Sequence, residues 1–230
     1  IISNNKIKEI PTLNQSLTKF DASKNQIDTI SKQTLKNIKE LFLSENKIEK
    51  FPLNIKTKII ETIILHHNNI DEINLKNITI RSYLPKTIKM IDLSFNHIEE
   101  IPKELFESLP NIESFSASFN QIRIIPQEIV NCNKITYLEI SSNPIKTLPK
   151  LPLSLETIAA SNCQIESLED VFVEQKTRSR YYSTATKRVK NIPLNDDDNQ
   201  AISISQSHLT VSGLRHADFS ENCLSEFPTI

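Results

Sequence analysis

Asparagine recurs in this 230-residue chain at intervals that suggest a repeating structure. The first eight positions of the series are 20 to 28 residues apart, the ninth follows after 59 residues, and cysteine fills the series once. An asparagine amide carries two N–H donors and one carbonyl acceptor. Inside a chain turn it can therefore satisfy backbone groups that would otherwise be buried without a partner. We predict a ladder of buried hydrogen-bonding groups at Asn5, Asn25, Asn46, Asn68, Asn96, Asn120, Asn143, Cys163 and Asn222.

Short strands must position these side chains, as the segment Lys89–Pro102 (KMIDLSFNHIEEIP) illustrates. Apolar residues alternate at Ile91 and Leu93, so both should point inward from a strand while Asp92 points outward. Asn96 then marks a corner. The closing Pro102 lacks an N–H and stops the segment from continuing as a strand.

Nine copies of this pattern resemble the leucine-rich repeat family, whose signature is L-x-x-L-x-L-x-x-N/C-x-L. The I-x-x-I-P ending at Ile101-Pro102 and Ile125-Pro126 looks like the intracellular, Ras-signalling-type class of these repeats. The resemblance implies an α/β fold, a right-handed horseshoe-shaped solenoid with a parallel β-sheet on its concave side. The convex returns should be short, irregular or helical, with helices around 103–109 and 127–132.

The repeats divide the chain into three parts. Residues 1–168 hold repeats one to eight, residues 169–213 form an insertion or a degenerate repeat with an exposed loop, and residues 214–230 form a terminal repeat. A basic stretch at 176–190 is either a docking or phosphorylation segment, a weak nuclear-import signal, or solvated chain. Because a solenoid needs polar caps and neither end shows one, we expect a fragment of a longer protein.

The outward residues of the strands are the candidates for function. Over the third to seventh repeats they include large apolar side chains flanked by acids and histidines, a composition typical of protein interaction sites. The alternative for Phe95 and Phe119 is that they pack along the rim as structural filler. The predicted partner-binding residues are Phe42, Ile64, His66, His67, Met90, Asp92, Phe95, Phe119, Tyr137 and Glu139.

His66 and His67 replace the serine that most repeats carry before the ladder position. With Asp92 and His97 they suggest a metal site. Neighbouring strand residues point apart, however, so we predict no metal and no cofactor, and instead a pH-sensitive polar contact with a partner.

Composition excludes several other functions. The net charge of −1 leaves no electrostatic footprint for nucleic acid or an anionic membrane. No apolar run has membrane-spanning length, and we expect neither a membrane span nor a secretory leader. A single glycine excludes glycine-rich phosphate loops. Three sparse cysteines argue against a disulfide framework and favour a reducing, cytoplasmic compartment.

These observations predict a non-enzymatic scaffold that binds a protein partner on its concave face. No nucleophile, zincin or kinase motif occurs, which argues against catalysis within these residues. The alternative is the regulatory or targeting half of a multidomain signalling enzyme, a 2C-type protein phosphatase or a kinase. An extracellular recognition receptor would instead require capped ends and paired cysteines.

Overall fold

The computed structural model describes residues 1–30, 35–52, 59–73, 84–169, 171–172 and 213–225. Eight strands of three residues each lie in one parallel sheet whose spatial order follows the chain. The repeats are here called coils and numbered one to nine by their ladder positions from Asn5 to Asn222. Coils two to nine each begin with one of the eight strands, and coil one has none among the described residues. The strands are β1 Lys19–Asp21, β2 Glu40–Phe42, β3 Thr62–Ile64, β4 Met90–Asp92, β5 Ser114–Ser116, β6 Tyr137–Glu139, β7 Thr157–Ala159 and β8 His216–Asp218.

Period-two alternation explains which side chains form the core. In β1 to β7 the middle residue is buried, as with Leu41, Ile91 and Phe115, while its two neighbours face outward. The apolar residues after each corner, such as Ile98 and Ile122, close the core from the other side. The predicted leucine-rich repeat solenoid with a parallel sheet is therefore confirmed.

The convex returns contain two short helices among the described residues. α1 spans Lys103–Ser108, which confirms the helix predicted over 103–109, and buries Leu105 and Phe106. The second is a 3₁₀ helix, Gln127–Asn131, within the predicted 127–132. Each follows a proline whose missing N–H a helix start does not need. Apolar residues alternate at Leu75, Ile78 and Ile80 and predict an extra extended piece on the convex side, but these residues lie outside the described ranges. No helix of the described chain combines the length and apolarity that crossing a bilayer requires.

The asparagine amides join successive coils, as Asn96 illustrates. Its Nδ2 donates to the Leu93 carbonyl of its own coil at 2.9 Å and to the Leu65 carbonyl of the preceding coil at 3.1 Å. Its Oδ1 accepts from the Ile70 N–H of the preceding coil at 2.9 Å. Equivalent bonds are made by Asn25, Asn46, Asn68, Asn120 and Asn143, all of which are buried.

Three ladder positions differ from this arrangement. Asn5 is exposed and its amide donates only within coil one, to Ile2 and Ser3. Cys163 donates from Sγ to the Ile140 carbonyl of the preceding coil at 3.6 Å and to the Ser161 carbonyl of its own coil at 3.5 Å. The Ile145 N–H, the equivalent of the N–H that Asn96 accepts, donates to the Asn143 carbonyl at 2.8 Å.

The third is Asn222, which is half-buried but makes the full set of bonds across the long insertion. β7 pairs directly with β8 in register, so the sheet passes from coil eight to coil nine without a strand between them. The chain leaves coil eight after Phe172, whose ring lies 6.3 Å from that of Phe219 in coil nine. The degenerate coil predicted around 182–193 and the basic stretch 176–190 lie outside the described residues.

Gly213, the only glycine, marks the return from the insertion. Its φ of +119° lies where side-chain-bearing residues are strained, and a Cβ there would lie 3.2 Å from the Leu153 carbonyl oxygen. The chain therefore needs glycine at the point where it rejoins the solenoid.

The ladder geometry predicts the effect of removing one amide. Asn96→Ala leaves the buried Ile70 N–H without its acceptor, while the Leu65 carbonyl keeps the Asn68 amide as a donor, and the variant should lower the free energy of unfolding by about 1–3 kcal/mol. Asn5→Ala is the matched control, because that amide is exposed and links no preceding described coil; its cost should stay below about 1 kcal/mol. Urea unfolding followed by circular dichroism measures both. Equal costs for the two variants would contradict a stabilising role of the inter-coil bonds.

Candidate functional site

The candidate site is the outward face of the sheet, where strand register sorts the side chains into two rows. The first row comes from the first residue of each strand and the second row from the last. The first row runs Lys19, Glu40, Thr62, Met90, Ser114, Tyr137, Thr157 and His216, and the second runs Asp21, Phe42, Ile64, Asp92, Ser116, Glu139, Ala159 and Asp218.

Apolar side chains cluster on the early part of this face. Phe42 and Ile64 are register partners in the second row and are half-buried. Met90 lies one coil further on in the first row and is 41% exposed. The Lys19 ammonium lies 4.6 Å from the centroid of the Phe42 ring and 2.7 Å from a Glu40 carboxylate oxygen. The ring is thus covered on one side by a cation that already has a counter-ion.

Tyr137 and Glu139 form a hydrogen-bonded group on the later part of the face. The Tyr137 hydroxyl donates to Glu139 Oε2 at 3.1 Å, and the Ser118 hydroxyl donates to Glu139 Oε1 at 2.6 Å. Burial first, and then the negative charges of Glu139 and Asp92, raise the pKa of Tyr137. The phenol therefore remains a neutral donor that holds the carboxylate in place.

Asp92 has a local structural contact as well as an outward position. Its Oδ1 accepts the Ser94 backbone N–H at 2.9 Å and so shapes the turn that leaves β4. Asp21 and Asp218 make the same bond to Ser23 and Ser220 in their own coils. The aspartates of the second row therefore contribute to the fold wherever they occur, in addition to any role in binding.

A third row lies at the ends of the strands, at the residue immediately before each ladder position. All nine of these residues have positive φ, between 49° and 59°, and none is glycine. In this left-handed conformation the backbone N–H donates to a backbone carbonyl of the next coil. The Phe95 N–H, for example, donates to the Ser118 carbonyl at 2.8 Å. We call it the strand-end row: Asn4, Lys24, Glu45, His67, Phe95, Phe119, Ser142, Asn162 and Glu221.

Three aromatic rings stack along the middle of the strand-end row. The ring centroids of His67 and Phe95 are 4.0 Å apart and those of Phe95 and Phe119 are 4.2 Å apart, with interplanar angles of 17° and 8°. Phe95 is 41% exposed and Phe119 50% exposed. The two phenylalanines thus pack on each other, as the rim-packing alternative predicts. Each still exposes about half of its surface, which a binding role requires.

The expectation that His66 and His67 point apart is wrong. Their Nδ1 atoms lie 3.0 Å apart. The expectation assumed a regular strand, but His67 has φ of 55°, and this left-handed turn brings both rings to one side. His97 lies elsewhere, in a recess of about 310 Å³ with Asp71, Glu72, Glu99 and Glu100. Within the described ranges no group of three or more metal-binding side chains assembles.

A fourth row, of charged residues, flanks the N-terminal ends of the strands and was not recognised from the sequence. The Lys89 ammonium bonds the Glu61 carboxylate at 3.0 Å, which lowers the pKa of Glu61 and raises the pKa of Lys89. The charge of Lys39 lowers the pKa of Glu61 further, and the charge of Glu113 raises the pKa of Lys89 further, both to a smaller extent. The residue before the strand alternates in charge over four successive repeats, and this alternation could have predicted the row from the sequence: Lys39, Glu61, Lys89 and Glu113.

Together the sheet, the amide ladder and the open face define a leucine-rich repeat solenoid that presents four parallel rows of side chains. The comparisons with known proteins agree. A family model described as leucine rich repeat matches residues 86–145. The described fold is thus that of a leucine-rich repeat solenoid, and the family match covers residues 86–145; the intracellular, Ras-signalling-like class of repeats remains a prediction.

Similar proteins share this repeat at low identity. Human lumican is 25% identical over 98% of this chain and 64% of its own length, and rat osteomodulin is 23% identical over 83% and 46%. A leucine-rich repeat protein of Leptospira interrogans superposes with a TM-score of 0.63 at 27% identity, covering 74% of this chain and 46% of that one. YopM from Yersinia enterocolitica, at 20% identity, a TM-score of 0.54, and 100% and 48% coverage, shows the fold alone. The chain thus spans about half to two thirds of these proteins.

The left-handed backbone of the strand-end row makes a prediction at Ser142. Glycine accepts a φ of 55° without strain whereas valine does not, so Ser142→Gly should be more stable than Ser142→Val by about 1 kcal/mol or more. Both variants lose the same hydroxyl, so their difference reports the backbone. The matched control compares Thr157→Gly with Thr157→Val at the start of β7, where the valine variant should be the more stable. Urea midpoints that favour valine at both positions would contradict the argument.

Proposed function

We propose that the concave face over coils three to seven binds a protein partner. One observation carries the proposal: large apolar side chains remain solvent-accessible on one ordered surface. Met90, Phe95, Phe119 and Tyr137 are between 38% and 50% exposed. Such a patch on a folded domain marks an interaction site, because water contact with that much apolar surface is unfavourable.

The dimensions of the face suit a protein ligand. Strands in a sheet lie about 4.8 Å apart, so five coils span roughly 19 Å and the nine coils roughly 40 Å. The face is an open sheet whose rows are continuous from coil to coil, and it suits an extended or convex protein surface. Leucine-rich repeat proteins generally mediate protein–protein interactions, which supports this assignment.

The side chains of the patch match what protein interfaces use. Aromatic residues and methionine are enriched in interface centres, and polar residues form the rim. Here Phe42, Ile64 and Met90 form an apolar cluster in coils three to five. Tyr137 and Glu139 lie in coil seven and provide polar groups. We assign these residues a binding role and no reaction.

The double variant Phe42→Ala/Ile64→Ser tests the proposal. Both side chains face outward, so the solenoid should still fold, while capture of the bound partner should fall by about tenfold or more. The measurement is quantitative mass spectrometry of proteins that copurify with the wild type and with the variant from the same extract.

The matched control is Ile124→Ser/Leu153→Ala, which removes exposed apolar surface outside the sheet. Circular dichroism and the urea midpoint confirm that each variant is folded. A partner retained equally by all three proteins would exclude the concave patch as the binding site.

We also propose that the protein works in a reducing, cytoplasmic compartment. Cys132 and Cys163 are buried as unpaired thiols, and burial raises the pKa of Cys132 to about 11. Such a thiol stays protonated and unreactive. Alkylation with N-ethylmaleimide at about pH 7, in cells and before any reduction, should label Cys223 in the native protein and all three cysteines after unfolding. A disulfide-linked form in the cells would contradict the proposal.

A further inference from the structure

The charges on the concave face are unevenly distributed along the solenoid. From coil four to coil eight, the first, second and strand-end rows contain no lysine or arginine and only two carboxylates, Asp92 and Glu139. The lysines of coil two are each next to an acid of coil three, Lys19 at 2.7 Å from Glu40 and Lys24 at 3.5 Å from Glu45. The middle of the face therefore presents uncompensated negative charge.

The two carboxylates flank a small residue. Asp92, Ser116 and Glu139 are successive register partners in the second row. With strands about 4.8 Å apart, the two acids stand roughly 10 Å from each other at the backbone, with only the serine side chain between them. A flat or slender cationic group fits above that serine and within reach of both acids.

Neutral donors hold both carboxylates without neutralising them. Asp92 accepts a backbone N–H from Ser94, and Glu139 accepts the hydroxyls of Ser118 and Tyr137. Burial first, and then the negative charges of Glu139 and Asp92, raise the pKa of Tyr137, so both acids act on this phenol. The charges are therefore pre-positioned for a cation, so little side-chain entropy is lost on binding.

The apolar patch begins directly beside this pair. Ile64 is the register partner of Asp92 in the second row, and Met90 occupies the first row of the same coil as Asp92. Moving along the second row, the surface changes from apolar at Phe42 and Ile64 to acidic at Asp92 and Glu139. A complementary partner must carry apolar and basic groups in that order.

We propose that the partner is a protein segment that places an arginine or lysine over Ser116, between Asp92 and Glu139, and an aliphatic or aromatic side chain over Ile64 and Met90. This inference rests on the proposed function and names the chemistry that its site recognises. Arginine suits the position better than lysine, because its planar group reaches two carboxylates with separate N–H donors.

The spacing of the two groups in the partner follows from the lattice. Ile64 and Ser116 are two coils apart, which is roughly 10 Å. Same-face side chains of an extended peptide are about 7 Å apart at i, i+2 and about 13 Å apart at i, i+4. The basic and apolar residues of the partner should therefore be separated by two to four positions.

A random dodecapeptide library displayed on phage tests this without knowledge of the natural partner. Selection on the immobilised wild-type protein should enrich peptides with arginine or lysine two to four positions from an aliphatic or aromatic residue. Synthetic versions of the enriched peptides are then measured by fluorescence anisotropy. Binding should weaken when the salt concentration rises from about 50 to 500 mM, because the ion pairs are screened.

The decisive variant is Asp92→Asn/Glu139→Gln. Asparagine at 92 can still accept the Ser94 N–H, and glutamine at 139 can still accept from Ser118, so the fold is retained while both charges are lost. The enriched peptides should bind this variant at least about tenfold more weakly and with little salt dependence. The control Glu107→Gln/Glu128→Gln removes the same charge from the two convex helices and should bind like the wild type.

The outcomes separate this inference from the proposed function. Peptides that bind the wild type but not Phe42→Ala/Ile64→Ser would support concave-face binding. If those peptides lack basic residues, or bind Asp92→Asn/Glu139→Gln as tightly as the wild type, the basic partner is overturned and concave-face binding is not. Acidic consensus peptides would overturn it as well. If the wild type enriches no peptide relative to Phe42→Ala/Ile64→Ser, both proposals fail.

Discussion

One hydrogen-bonding arrangement holds this molecule together: from coil two onwards, every ladder asparagine joins its own coil to the coil before it. The asparagine side chain donates to a carbonyl in both coils and accepts an N–H from the preceding one, so a single residue satisfies backbone groups on two levels. Three-residue strands could not hold a parallel sheet alone, because each offers few ladder bonds. The amide ladder continues the bonding around the corner, where strand pairing has ended.

In-register stacking imposes a second constraint, since every slot meets its own equivalent about 4.8 Å away. A slot can therefore hold only side chains that tolerate close copies of themselves. Amides satisfy this by hydrogen bonding, and His67, Phe95 and Phe119 by stacking. Charges satisfy it only when their signs alternate, as Glu61 and Lys89 do at the strand starts. The concave face departs from such self-compensation at Asp92 and Glu139, which have no oppositely charged neighbour in the second row.

Most of the fold could be predicted from the sequence, because its two strongest signals are local. Alternation at Ile91 and Leu93 and the asparagine three residues later together predict the strand, its buried face and the corner. The left-handed strand-end row could not be predicted from residue types: lysine, glutamate and phenylalanine occupy a conformation that usually selects glycine or asparagine. The backbone hydrogen bond that each of these residues donates to the next coil outweighs that preference. The contact between His66 and His67 follows from the same turn, so a strand-based argument misplaced both rings.

The ladder is also complete where the candidate site lies. Asn46, Asn68, Asn96, Asn120 and Asn143 are buried and make the complete set of inter-coil bonds, and their coils, three to seven, carry the apolar and acidic side chains. The departures lie outside this region, with exposed Asn5 before it and Cys163 and half-buried Asn222 after it. In a solenoid, stability is a sum of neighbouring interfaces, so the middle coils should move least. Binding to a rigid surface loses less conformational entropy, and the backbone chemistry of the ladder would thereby favour the recognition that we propose for the outward face of the sheet.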